Sequence, residues 1–296
     1  MTKNRIGSFR HIPSNDPTTE SIPAMKTVPT PRRFSRDSVA LFARDALARR
    51  IHHDLLATPV GRAHVLRQLA TAESADEATI FEEVRKYCKD PEIEKLVKKH
   101  AEDETRHAML FEECVARQGV GDPGPVADDL QVLKVLDKTL EKTEGRGFLA
   151  SELGGGDTRE SVAKAYLLLQ VVEERALHQF RQMAPIFAKY DAATGEVLAT
   201  VIADEERHLK YCYAIVARYA PDAAWAETHL QRFRHAEALA FRDVQGANLT
   251  ALLARDLLPV NTARFFGIIS KLLRNSKMLP YTPTGLAGRA DVRKAA

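Results

Sequence analysis

Apolar residues along this chain recur every three to four positions, the period that lays one face of an α-helix against a core. The pattern predicts a first helix over about 36–56. A second is predicted over about 60–88, where Leu66, Leu69, Glu73, Ile80 and Val84 share one face. Asp90-Pro91-Glu92 then offers an N-cap, a proline at the first helical position and an early acid, so a third helix starts there and continues to about Arg117. Gly119, Gly121, Pro123, Gly124 and Pro125 stop it. A shorter helix over about 126–143 leads into a glycine-rich stretch ending at Gly154-Gly155-Gly156. Asp157 or Thr158 opens a long helix to about Lys189, and Thr194 opens another that runs to about Arg218 and stops at Pro221. From about 222 to 274 the pattern predicts two or three more helices, broken near Gly246 and Pro259. No segment alternates with strand composition, so the expected class is all-α.

The two ends read differently. Residues 1–34 carry Pro13, Pro17, Pro23, Pro29 and Pro31 among Ser, Thr and Asn, with hardly any apolar periodicity, the composition of a disordered or loosely packed arm. A polar tail is expected over 276–296, leaving one helical domain over 35–275. With 296 residues, 45% of them hydrophobic, the chain can bury a sizeable core. Its net charge of +3 is unevenly placed, ten Lys/Arg against four Asp/Glu falling in residues 1–50. Such an arm reads as a solvated tail, and no nucleic-acid partner is expected.

No run reaches the roughly 18 apolar residues of a membrane span, and no apolar signal segment follows the basic N-terminus, which predicts a cytoplasmic protein without a membrane span. The basic amphipathic segment from Arg264 to Arg274 reads as core packing rather than as a membrane or partner contact. Cys88, Cys114 and Cys212 are widely spaced inside helical patterns and form no CxxC pair, so buried free thiols are expected.

The candidate chemistry is a repeated pentapeptide. Residues 103–107 read Asp-Glu-Thr-Arg-His and residues 204–208 read Asp-Glu-Glu-Arg-His. Each contains E-x-x-H, a step that puts a carboxylate and an imidazole on one side of a helix, one turn apart. Val97, Glu104, His107, Phe111 and Cys114 share one stripe, while Val201, Glu205, His208, Cys212 and Ile215 share the other, so both pairs lie on apolar faces. Ionised carboxylates buried without partners are very costly, which implies a compensating cation.

A two-metal site in a helix bundle also takes one Glu from each of two further helices, giving an oxygen and nitrogen shell suited to iron or manganese. Glu73 and Glu173 stand upstream of the two motifs at nearly equal spacing on apolar stripes. Glu174 competes with Glu173, since it repeats the first spacing without a gap, but its stripe through Gln170, His178 and Arg181 is polar, and Glu173 is preferred. His100 shares the narrow stripe of Glu104 and His107 and is either a seventh ligand or a hydrogen-bonding wall residue, its counterpart in the second copy being Val201. Asp103 and Asp204 suit acceptors for the free N–H of a ligating histidine across the helix pair, with Arg106 and Arg207 neutralising the carboxylate cluster. Tyr211, Cys212 and Tyr213 follow the second motif and read as packing residues, with a pocket-lining or electron-carrying role as the alternative.

Glu73, Glu104/His107, Glu173 and Glu205/His208 together resemble the ferritin-like di-iron carboxylate superfamily, whose pattern is E, E-x-x-H, E, E-x-x-H on four bundle helices. The resemblance covers roughly residues 60–218. The stretch from Glu73 to His107 is similar to the first half of a rubrerythrin. The doubled D-E-x-R-H is more similar to soluble methane monooxygenase hydroxylases and acyl carrier protein desaturases. The resemblance implies a ferritin-like four-helix bundle, to which the apolar pattern adds helices at both ends, two Fe ions (Mn/Fe as the variant), dioxygen as a reactant, a small organic substrate and an electron donor; a monomer or homodimer is the assembly expected of such an enzyme. The implied activity is an oxygenase or oxidase.

The chain departs from the family in lacking a rubredoxin-like CxxC pair and in being much shorter than the hydroxylase. Two other readings compete: an iron-oxidising storage protein, and a metal-free helical scaffold in which E-x-x-H occurs by chance.

Overall fold

The computed structural model describes residues 36–75, 77–88, 90–145, 147–148 and 158–265. Every regular element among them is helical: α1 (Arg36–Leu56), α2 (Pro59–Ala75), α3 (Glu77–Tyr87), α4 (Pro91–Arg117), α5 (Val132–Glu144), α6 (Thr158–Tyr190), α7 (Ala192–Tyr219) and α8 (Ala223–Ala254). A 3₁₀ turn at Asp128–Leu130 precedes α5, and a last helical stretch covers 260–265. The predicted arm over 1–34, Gly154-Gly155-Gly156, residues 266–274 of the amphipathic segment and the tail over 276–296 lie outside the described residues. No helix among the described residues is long and apolar enough to cross a membrane. Cys88, Cys114 and Cys212 are buried and none is in a disulfide.

Local chemistry sets the ends of these helices. Asp90 caps α4, its carboxylate accepting from Glu92 N at 3.0 Å, with Pro91 inside the first turn. Thr194 does not open α7, which starts at Ala192: Asp191 is the cap, accepting from Thr194 N at 3.2 Å and from Thr194 Oγ1 at 2.7 Å. Only Asp191 separates α6 from α7. Gly195 allows that hairpin to close, because a Cβ there would lie 2.9 Å from Ala188 Cα.

The short helix begins at Val132 rather than near 126. Ala127 and Gln131 are extended, and Gln131 Nε2 donates to Val126 O at 3.1 Å, holding the preceding turn. Nor does Gly246 break the chain. One glycine costs a helix interior about 1 kcal/mol relative to alanine, too little to interrupt α8 when Phe233, Ala236, Ala240, Leu249 and Leu252 are buried along it. The break falls at Arg255 and Asp256, the latter at φ 51°.

The buried apolar residues form two clusters. One holds Ile80, Val84, Val97, Tyr166, Leu169, Cys212, Ile215 and Phe233. The other holds Leu66, Ala70, Phe111, Cys114, Phe180, Phe187, Leu198 and Val201. Along α4 the chain passes from the first cluster at Val97 to the second at Phe111, and along α6 from Leu169 to Phe180. Along α7 the order reverses, from Val201 to Cys212, and likewise from Ala70 in α2 to Ile80 in α3. These four tracks are therefore mutually antiparallel in pairs. α2 packs on α4, α6 on α7, α4 on α7 and α3 on α6, while α8 lies against α5 and α6. Between the two clusters every track crosses one polar layer, which contains the E-x-x-H pairs.

Candidate metal centre

The polar layer collects Glu73 from α2, His100, Glu104 and His107 from α4, Glu173 from α6, and Glu205 and His208 from α7. His100, His107 and His208 have no side-chain exposure, Glu104, Glu173 and Glu205 are buried, and Glu73 keeps 9%. Each side chain arrives by helical period. The three-residue step of E-x-x-H leaves Glu and His on one face, and the apolar stripe carrying that face is buried in both motifs.

These atoms fall into two groups sharing one carboxylate. Glu73, Glu104, His107 and Glu205 form the first, and His100, Glu104, Glu173 and His208 the second; within each, one atom per residue lies within 4.8 Å of the others. His107 Nδ1 sits 3.4 Å from Glu73 Oε2, 3.4 Å from Glu205 Oε1 and 3.6 Å from Glu104 Oε2. His208 Nδ1 sits 2.9 Å from Glu104 Oε1 and 3.3 Å from Glu205 Oε2. His100 Nε2 lies 2.9 Å from Glu173 Oε1 and 3.4 Å from Glu104 Oε1.

The outer edge of each motif histidine meets an aspartate of the opposite helix. His107 Nε2 is 3.2 Å from Asp204 Oδ2, and His208 Nε2 is 3.5 Å from Asp103 Oδ2. Arg106 and Arg207 tie this arrangement together, each pairing with both aspartates. Within the carboxylate cluster the guanidinium groups thus pair with the two aspartates, Asp103 and Asp204. Lys99 adds a further cation, donating to Asp103 Oδ1 at 2.8 Å. The i, i+4 spacing of Lys99 and Asp103 was the signal that could have revealed it.

Burial and the charges within the cluster pull its groups in different directions. Burial pushes the Glu73 carboxyl well above the usual carboxylate range, and the neighbouring Glu104 charge adds to it. Burial likewise raises Glu173, reinforced by Glu205. For His100 burial works against protonation, but its contacts with Glu104 and Glu173 outweigh it and push the imidazole up to about 9. Burial alone would raise Asp103, yet Arg106, Lys99 and Arg207 hold it well below the ordinary value. Glu104 Oε1, Glu205 Oε1 and His107 Nδ1 are buried and make no well-aligned hydrogen bond, although His208 Nδ1 lies 2.9 Å from Glu104 Oε1. Such lone pairs on hard oxygen and imidazole nitrogen, converging on two points, are a donor set that could hold metal ions.

Glu174 does not join the cluster. It is buried under α8, accepting from Arg234 Nη2 at 3.0 Å and from Gln170 Nε2 at 3.0 Å. The Gln170–Glu174 end of its polar stripe is therefore covered by α8, whose role the sequence did not reveal, while Arg181 at the other end is exposed. Arg175 beside it forms a two-pronged ion pair with Glu237 at 2.7 and 2.8 Å, both residues buried. Nothing in the spacing of these residues announced that pairing across α6 and α8.

Of the residues after the second motif, Tyr211 packs its ring 6.2 Å from that of His208. Tyr213 lies by Glu174, where burial and that charge push its phenol up to about 12. Cys212 is part of the apolar core.

No protein-family model matches the chain, and no match is found among curated proteins or solved structures.

Proposed function

We propose that this chain is a di-iron carboxylate oxidoreductase built on a ferritin-like four-helix core, with α2, α4, α6 and α7 as the bundle helices. One observation carries the reading: two buried four-residue groups that share Glu104. Glu73, Glu104, His107, Glu173, Glu205 and His208 are the residues that would hold the ions. Their four carboxylates balance the charge of two divalent cations, which removes the penalty of burying unpaired anions. When bound, a pair of iron ions supplies two electrons and coordination positions at which dioxygen is reduced.

The protein's part is to hold and to shield. Asp204 holds the ring of His107 from outside, Asp103 lies 3.5 Å from the outer nitrogen of His208, and the arginine pairs fix the aspartates. The two apolar clusters above and below the layer keep water from the reacting centre. Hydroxylation consumes substrate, dioxygen, two electrons and two protons and yields alcohol and water, so an external electron donor completes the cycle. Desaturation draws on the same partners, and the substrate belongs to the class of small organic molecules.

The test is to load metal-free protein anaerobically with Fe(II), count the bound iron, then admit dioxygen and follow its uptake with optical spectra. Two irons per chain and dioxygen uptake that stops in proportion to them are expected. Protein purified from iron-supplemented cells with well under one metal per chain would sink the proposal. Iron accumulating far beyond two per chain would replace it with storage. Glu104→Ala and His208→Ala are expected to abolish tight binding, whereas Glu174→Gln keeps it.

A further inference from the structure

The two halves of the layer are not copies of each other. Glu104/His107 and Glu205/His208 repeat faithfully, and so do Asp103/Asp204 and Arg106/Arg207. One turn upstream the repeat fails: α4 carries His100 where α7 carries Val201. Both positions are completely buried, but they meet different surroundings. Val201 packs into the apolar cluster with Phe111 and Phe180. His100 turns its Nε2 toward Glu173 and Glu104, and its ring centroid lies 3.9 Å from that of His208. Its Nδ1 is buried with no hydrogen-bond partner, so this imidazole is not held from behind as His107 is by Asp204. Two imidazoles packed this closely, their planes tilted by 33°, form with two carboxylates a converging nitrogen and oxygen set, one atom from each of four residues within 4.8 Å.

We propose that His100 is a seventh ligand and that the two metal positions are chemically unequal, one held by Glu73, Glu104, His107 and Glu205, the other by His100, Glu104, Glu173 and His208. The inference rests on the two-metal reading and adds an asymmetry to it. The first position offers three carboxylates and one imidazole, the second two of each. Imidazole nitrogen favours the later first-row divalent ions over manganese more strongly than carboxylate oxygen does. The second position is therefore the iron-selective one, and the first is the one that tolerates manganese.

The alternative role for His100 is to donate a hydrogen bond to Glu173 and nothing more. His100→Gln separates the two, because its amide still reaches a carboxylate as a donor but brings no imidazole nitrogen.

The experiment uses the full chain, anaerobically loaded with enriched ⁵⁷Fe(II), and reads iron stoichiometry by titration together with the Mössbauer spectrum; neither readout depends on turnover. Wild type is expected to bind two irons giving two quadrupole doublets of equal area. His100→Gln is expected to keep one iron tight. The second should weaken by more than the roughly 10–100-fold typical of losing only a hydrogen-bonding neighbour of a ligand, with one doublet lost or shifted. His100→Leu should behave the same way, which guards against weak ligation by the glutamine oxygen, and circular dichroism verifies that both variants are folded. Two tight irons and an unchanged spectrum in His100→Gln would overturn the inference while leaving the two-metal reading intact. A single doublet in the wild type would also overturn it. A wild type that binds no iron would instead remove the reading on which it rests.

Discussion

Removing metal from the protein should cost it several kcal/mol of stability, and the structure sets the scale. Two groups of side chains that could hold metal ions converge in the buried layer, so on the proposed reading two ions would bind the folded chain and find no assembled site in the unfolded one. With free metal about 100-fold above the dissociation constant, one site contributes about 2.7 kcal/mol, and two sites about 5 kcal/mol. At roughly 2–4 °C per kcal/mol for a domain of this order of size, the melting temperature should rise by about 10–20 °C on loading.

The assay is thermal unfolding followed by circular dichroism, starting from chelator-treated protein and titrating Fe(II) without oxygen, with Co(II) as a redox-silent check. Glu104 belongs to both groups, so Glu104→Gln should abolish nearly the whole rise. Glu174→Gln should retain it, since Glu174 bonds to Arg234 and Gln170 instead. A wild-type melting temperature indifferent to metal, or an equal rise in Glu104→Gln, would refute the reasoning.

Other expectations follow from single features. Asp204→Asn alters the hydrogen-bond partner of His107 and Asp103→Asn the carboxylate 3.5 Å from His208, and each should weaken metal binding about 10–100-fold with helicity retained, as read by competitive titration; unchanged affinity would show that the aspartates serve only the surface arginines. Glu237→Ala removes the two-pronged ion-pair partner of the buried Arg175 guanidinium and should cost about 3–5 kcal/mol in urea unfolding, whereas Arg175→Met with Glu237→Leu should be near neutral; equal losses in the two proteins would contradict this.

His52 gives a pH signature. Burial holds its imidazole neutral and lowers its pKa from 6.5 to about 4. The unfolded chain therefore takes up the proton first, so the contribution is fully present above pH 6.5 and is lost as pH falls from 6.5 to about 4, by at most about 1.4 kcal/mol per unit. His52→Leu should flatten that part of the stability curve, and identical slopes would exclude the assignment.

The residues of the polar layer were legible in the sequence because a helix translates spacing into direction. A three-residue step fixes Glu104 beside His107 and Glu205 beside His208 whatever the rest of the chain does, and the apolar stripes declare which way they face. Local signals such as Asp90-Pro91-Glu92 fixed a helix start for the same reason. Signals that depend on context were less dependable: Gly246 read as a break, yet packing carried α8 through it, and Thr194 read as a start, yet Asp191 took the cap.

By itself, then, the sequence determined the helical class, the two Glu/His pairs and the inward face of each, since all of these are settled within a turn or two of helix. Only the tertiary structure decided what lies between helices. It directed Arg106 and Arg207 to the aspartates, covered Glu174 with Arg234 of α8, and made Glu104 common to both groups. It also brought His100, which the sequence left open as ligand or wall, within 2.9 Å of Glu173 and into one of the two groups. Those outcomes depend on which helices pack together and at what rotation, and spacing along one chain carries no record of either.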